Sequence, residues 1–360
     1  MGTLNKKVIS LIFLFLIISL GIILMQILLS GPSESPASPP GLPPSPPLSP
    51  TLPSSLYLDQ SGIKGDGSDE GAALQAALDY ARDNSIRTVV FPKDAIIVTT
   101  SKITIHEGMN IVGNGCTIKL KENSGYPRDN QIMNLMDNAR CSGLKLDGQW
   151  YTNPGVDGIR LFSGSVFDGN EVFNIGAYSV HTYNADNVTI TNNSIHDGAQ
   201  YGVATGGGDP DGISRNIVVS GNTIYNMQEV GIKIRGTDGS IIANNTVTVP
   251  SIPGIYARGI SLYSLDYGNA NIRILNNTVL GEWGDGSGGG IVSDDARNTD
   301  IAILGNRVGG LDVGIELNFN NGTVAGNNVS DCRNACIDDN GDDNTVENNI
   351  LTNCSMIFKI

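Results

Sequence analysis

Val188-Thr189-Ile190-Thr191-Asn192-Asn193-Ser194-Ile195 is the phrase on which the fold turns. It alternates apolar and polar residues, meets an Asn pair, and begins to alternate again. It returns as Ile217-Val218-Val219-Ser220-Gly221-Asn222-Thr223-Ile224, and in degenerate form as Ile241-Ile242-Ala243-Asn244-Asn245-Thr246-Val247. Later copies centre on Asn277, Asn306, Asn327 and Asn349, and an earlier one on Asn170. Successive spacings are 23, 29, 23, 32, 29, 21 and 22 residues, a base period near 22 with three longer units.

A period in this range marks a solenoid. A leucine-rich repeat would need a Leu-x-x-Leu-x-Leu consensus and a helical return. Here the alternation has period two, β-branched residues dominate, and no helical pattern fits between copies. Each unit carries a second strand, as in Gly231-Ile232-Lys233-Ile234, Gly259-Ile260-Ser261-Leu262 and Gly314-Ile315-Glu316-Leu317. The expected fold is therefore all-β: a single-stranded right-handed parallel β-helix over residues 56–360. The recurring Asn is expected at a tight bend, where it tolerates left-handed backbone and can stack its amide from coil to coil. Such a ladder generates Asn-x-Ser/Thr triplets by itself, so sequons such as Asn187, Asn192, Asn276 and Asn353 are weak evidence for glycosylation.

Residues 56–100 read as an N-terminal cap. Asp69 to Asn84 is an expected helix, started by Ser68 or Asp69, with Ala73, Leu74, Ala77, Leu78 and Ala81 as its apolar stripe. Thr88-Val89-Val90-Phe91 follows as a buried strand. The passage from Gly65 to Leu78, followed by Thr88 to Pro92, resembles the N-terminal signature of the pectate lyase superfamily. More narrowly, it is similar to the rhamnogalacturonase/epimerase-type pectate-lyase-like domain, with Asp83 to Arg87 where that family often has a Gly-rich turn. The resemblance implies the β-helix and a bias toward carbohydrate substrates. It assigns no activity, because the fold hosts lyases, hydrolases, epimerases and non-enzymes.

Upstream, the run from Val8 to Leu29 is long enough to cross a bilayer, and Lys6 and Lys7 orient it with the N-terminus inside. Residues 1–30 are the expected signal anchor, residues 31–55 a Pro/Ser-rich stalk, and the remainder lies outside the cell, or is secreted if the anchor is cleaved. The chain carries a net charge of −14, and the part before Leu56 contributes +1, leaving −15. Such a surface repels nucleic acid. No helix is evident after the last coil, so self-association through that coil is a further expectation. Cys332 and Cys354 are 22 residues apart, each five after its ladder Asn, and are expected to stack and form a disulfide.

Outward positions of the second strand give the order Arg160 and Phe162, His181 and Tyr183, Ala204, Lys233 and Arg235, Ser261 and Tyr263, Val292 and Asp294, Glu316 and Asn318, then Asp338. The first half is basic and aromatic, the later half acidic. Extra residues of the three long units flank this face and bring Tyr256, Tyr267 and Trp283 beside it. Two chemistries fit. Asp294 and Glu316, with Asp295 or Asp338, could serve as an acid/base pair for glycoside hydrolysis, or Asp294, Asp295 and Glu316 could hold Ca²⁺. Lys233, Arg235, His181 and Tyr201 could instead remove a proton beside a uronate carboxylate. Arg160, Tyr183, Tyr201, Tyr263 and Trp283 are the expected sugar contacts. Lys233-Ile234-Arg235 and Asp294-Asp295 resemble polygalacturonase motifs, but their order is reversed and the Gly-His-Gly motif is absent. The expected function is a surface-anchored protein that binds and modifies a polysaccharide; the alternative is a non-catalytic rod for adhesion or assembly.

Overall fold

The structure is a computed structural model and describes residues 54–206, 212–264, 267–282 and 288–359. The anchor and nearly all of the stalk lie outside these residues, as does Trp283. Among the described residues no helix is long and apolar enough to cross a membrane.

The chain winds through three parallel sheets of twelve, twelve and eleven strands, each ordered coil after coil, making about eleven turns. The first sheet runs from Ser55–Tyr57 to Thr345–Glu347, the second from Asp66–Asp69 to Ile350–Thr352, and the third from Ile103–Ile105 to Met356–Lys359. The quoted phrase supplies one strand of the first sheet and one of the second. The Gly-apolar-x-apolar phrase supplies the third. Inward residues stack in register: Ile190, Val219, Ile242, Ile274, Ile303 and Val324 form one buried column. Their branched Cβ atoms suit the pleat and leave little rotamer freedom to lose.

The corner between the first two sheets divides its work between adjacent residues. Asn170, Asn193, Asn222, Asn245, Asn277, Asn306 and Asn327 are buried. In each step the amide oxygen accepts both the backbone and side-chain N–H of the preceding ladder residue, as Asn245 Oδ1 does from Asn222 at 3.0 and 2.9 Å. The left-handed residue is the one before: Gly169, Asn192, Gly221, Asn244, Asn276, Gly305, Gly326 and Asn348. The sequence reading gave both tasks to one Asn. The structure separates them, because a side chain committed inward to a ladder leaves the turn's positive φ to its neighbour. A shorter ladder joins Asn269 and Asn298 after the third sheet.

The capping helix, α1, spans Gly71–Asp83. Ser68 and Asp69 belong to a strand instead. The helix starts at Glu70, whose carboxylate turns back to accept the Lys64 and Gly65 N–H groups at 2.8 Å each. Leu74, Leu78 and Ala81 are buried against the first coils, whereas Ala73 is exposed, off the expected stripe.

The disulfide joins Cys336 and Cys354, with Cα atoms 5.6 Å apart, and Cys332 is a buried thiol. The expected Cys332–Cys354 bond is therefore incorrect. Ser330 and Thr352 pair in register, so those two cysteines do occupy the same rung of successive coils. Stacked side chains in a parallel sheet point the same way. Cys336, on the strand after the corner, is the cysteine whose side chain meets Cys354.

Candidate functional site

Each third-sheet strand presents three outward columns. The central one runs Asn134, Arg160, His181, Ala204, Lys233, Ser261, Val292, Glu316 and Asp338, all in register and, from Arg160 onward, in the order expected from sequence. A column on one side holds Arg235 in register with Tyr263. The column on the other side holds Tyr178, Tyr201, Val230, Arg258 and Gly289. Sequence reasoning found Tyr201 but missed Asp157, Tyr178 and Arg258. Their signal was available: each is the residue immediately before the small residue that opens the strand phrase.

The columns enclose a groove of about 370 Å³. Its floor is Ala204 and Gly206, where a Cβ on Gly206 would lie 1.8 Å from the Arg235 carbonyl oxygen. One wall carries Arg160, His181 and Tyr183, the other Lys233 and Arg235. The Lys233 ammonium lies between two rings, 4.1 Å from the Tyr201 centroid and 4.5 Å from that of Tyr263. Burial lowers its pKa, and Arg235 lowers it further. The Arg160 guanidinium lies 4.7 Å over Phe162 and 5.4 Å from Tyr183. These contacts hold the cations without neutralising them.

At the groove edge the His181 Nε2 and Asp157 Oδ2 atoms are 3.7 Å apart, beyond hydrogen-bonding distance. Both groups are nearly buried. Burial pushes the Asp157 carboxyl up to about 6, against the hydrogen bond it accepts from the Tyr178 N–H. Burial, with Arg160 beside it, pushes His181 down to about 3. At neutral pH both are therefore proton acceptors. His181 Nε2 and Arg160 Nε have no hydrogen-bond partner among the described residues. Buried polar atoms of this kind await a ligand or water. Tyr201 is held above the usual tyrosine range by burial and by donating its hydroxyl to Glu229.

The other half of the face has a different character. Asp294 faces Arg258 at 3.4 Å and accepts from Ser261 Oγ at 3.5 Å, and burial holds its pKa high. Glu316 is raised by burial and by the like charges of Asp294 and Asp338, although Asn318 donates to it at 3.5 Å. Asp295 turns away and is bound by Arg297. No group of three or more metal-ligating side chains converges among the described residues. The expected Ca²⁺ set of Asp294, Asp295 and Glu316 is therefore not assembled, because Arg297 draws Asp295 out of it.

The architecture is that of a right-handed parallel β-helix with an open groove along one sheet. The chain belongs to the right handed beta helix region family, whose profile matches residues 81–299. No curated protein sequence matches it. Among solved structures it is similar to the A-module of mannuronan C-5 epimerase AlgE6 from Azotobacter vinelandii, with 15% identity over 85% of this chain and 96% of that one and a TM-score of 0.67. The surface adhesin PfbA of Streptococcus pneumoniae aligns with 14% identity, 84% and 91% coverage and a TM-score of 0.62. The catalytic unit of a GH87 α-1,3-glucanase from Streptomyces thermodiastaticus gives 14% identity, 84% and 62% coverage and a TM-score of 0.57. At these identities the likeness is one of fold. With the family match, it bears out the right-handed β-helix that the resemblance implied.

Proposed function

We propose that the protein binds a uronate-containing polysaccharide in the third-sheet groove and removes the proton at C5 of a bound uronate. The observation that carries this reading is the Lys233 ammonium held between Tyr201 and Tyr263, with Arg235 on the same wall and Arg160 on the opposite wall of the groove. The uronate carboxylate sits against Lys233 and Arg235. The C5–H bond breaks, its proton passes to the Asp157–His181 pair, and the electron pair delocalises into the carboxylate as an enolate. The cations stabilise that developing charge. Reprotonation on the opposite face gives an epimer; expulsion of the C4 oxygen gives an unsaturated sugar. Two of the fold's relatives are named as enzymes of polysaccharides and one as an adhesin, which supports a carbohydrate partner and leaves the reaction to be tested. Anchoring by residues 1–30, on the stalk of residues 31–55, is part of the same proposal.

The test is incubation of the full chain with polymannuronate, polygalacturonate and a neutral glucan in deuterium oxide. With one uronate polymer only, NMR should show either deuterium entering at C5 or an unsaturated C4–C5 product, and Lys233→Ala should slow whichever occurs by roughly 10²-fold or more. New reducing ends with neither deuterium at C5 nor an unsaturated product would move the chemistry to Asp294 and Glu316 as a hydrolytic pair. No exchange, cleavage or binding with any polymer would leave the β-helix as a non-catalytic rod.

A further inference from the structure

We propose that the face selects a mixed polymer: a uronate at Lys233 and an uncharged sugar three coils further along, between Tyr256 and Glu316. The inference rests on the uronate reading above. Lys233, Ser261, Val292 and Glu316 are consecutive in one register column. At about 4.8 Å per coil, Glu316 stands roughly 14 Å from Lys233 on the same face. An oligosaccharide seated at the first position must therefore pass the second.

The two positions have opposite electrostatics. The first offers two cations, Lys233 and Arg235. At the second, the guanidinium within reach is that of Arg258, and Asp294 already engages it at 3.4 Å. Glu316 forms no salt bridge among the described residues, and like charges on Asp294 and Asp338 already oppose its ionisation. A further carboxylate brought there would meet the same repulsion in a partly desolvated setting, where charges are poorly screened. The position is otherwise suited to a pyranose. Val292 and Gly289 keep the strand low, and Tyr256 stands beside them, 43% exposed, with the Arg258 guanidinium 5.6 Å over its ring, so that a sugar would stack on the opposite face. Asn318, Ser261 and the carboxylates offer donors and acceptors for hydroxyl groups. Tyr256 is thus the stacking platform and Glu316 the group that rejects an adjacent uronate.

The probes are two oligosaccharides of equal length: an oligogalacturonate, charged on every sugar, and an oligo-hyaluronan, in which uronate alternates with N-acetylglucosamine. Titrated onto the full chain, the alternating oligomer should bind at least about tenfold more tightly. Glu316→Gln should raise oligogalacturonate affinity about tenfold and leave oligo-hyaluronan within about twofold. The gap should also narrow as salt is added. Tyr256→Ala should weaken the alternating oligomer more than the homopolymer. Lys233→Ala should weaken both, which places them in the groove. If oligogalacturonate binds as tightly as oligo-hyaluronan and Glu316→Gln changes neither, the selectivity proposal is wrong while the uronate reading stands. If neither oligomer binds the unsubstituted protein, both fail together.

Discussion

The corner between the first and second sheets and the open face of the third are made by the same coils, yet one repeats and the other does not. At the corner, seven successive buried positions are Asn and make the same bonds. On the face, the in-register column passes from Arg to His, Ala, Lys, Ser, Val and Glu. Across these seven coils the corner position admits one solution, although the two coils before them place Cys116 and Leu144 there. A position that no coil needs is free to carry chemistry. The largest expected effect tests the first half of this contrast. Asn222→Ala leaves the Asn193 N–H groups and the Ile190 carbonyl without their partner. At about 1–3 kcal/mol for each buried unsatisfied group, roughly 3–6 kcal/mol of stability should be lost in chemical denaturation. Binding in the groove should be unchanged in whatever fraction remains folded. A loss below about 1 kcal/mol would mean that the ladder decorates the corner rather than holding it.

The second prediction moves to the face, where polar groups are buried at a cost to stability. An unfolded Asp ionises near 3.9 and an unfolded His near 6.5. Folding raises Asp157 to about 6 and lowers His181 to about 3. Between about pH 4 and 6 the folded pair therefore holds one proton, on Asp157, and the unfolded pair also holds one, on the histidine. The proton counts match, and the pair gives stability no pH slope there. Each single substitution exposes the other partner. With Asp157→Asn, the lowered His181 remains, and stability is lost as pH falls from about 6.5 toward 3. With His181→Phe, the raised Asp157 remains, and stability is lost as pH rises from about 4 to 6. Each slope approaches about 1.4 kcal/mol per pH unit, for a total near 3 kcal/mol for Asp157 and near 5 kcal/mol for His181. Denaturation midpoints across pH 4–7 would measure both. Slopes of the same sign would show that the two groups do not exchange places as the site of the proton.

Legibility in the sequence follows the same division. The coil period, the third-sheet phrase and the order of the central column were all readable, because each depends only on alternation and spacing. Asp157, Tyr178 and Arg258 were not read, because the outward alternation was counted from the Gly of the phrase and stopped there. The true edge of the groove begins one residue earlier. The separation of left-handed turn from ladder was hidden because Asn serves both. The cysteines show a third limit. Spacing identified the rung that Cys332 and Cys354 share, but a disulfide needs converging side chains, and convergence occurs across a corner rather than along a stack. Cys354→Ser opens a loop of 18 residues, worth roughly 3 kcal/mol by chain entropy. The effect should stay local: hydrogen exchange should lose protection over Met356–Lys359 and keep it over Gly289–Ser293. Cys332→Ser should leave that protection intact, whereas its loss would restore the pairing expected from sequence.

The smallest effect sharpens the comparison most, because it lies inside the corner. Asn192 and Asn193 are adjacent, and sequence alone treats them alike. Asn193 is buried in the ladder, while Asn192 is exposed with φ of 54°. The equivalent turn residue is already Gly at Gly169, Gly221, Gly305 and Gly326. Asn192→Gly therefore removes the steric cost of a left-handed side chain. Against this stand the greater freedom of Gly in the unfolded chain and the loss of the 2.8 Å hydrogen bond from Asn192 Nδ2 to Asp168 Oδ1, which is exposed to water. The opposing contributions are each several tenths of a kcal/mol, so the net change should stay within about 0.5 kcal/mol. A change of several kcal/mol at Asn192, comparable to that at Asn222, would mean that the corner is held by its turn and not by its ladder.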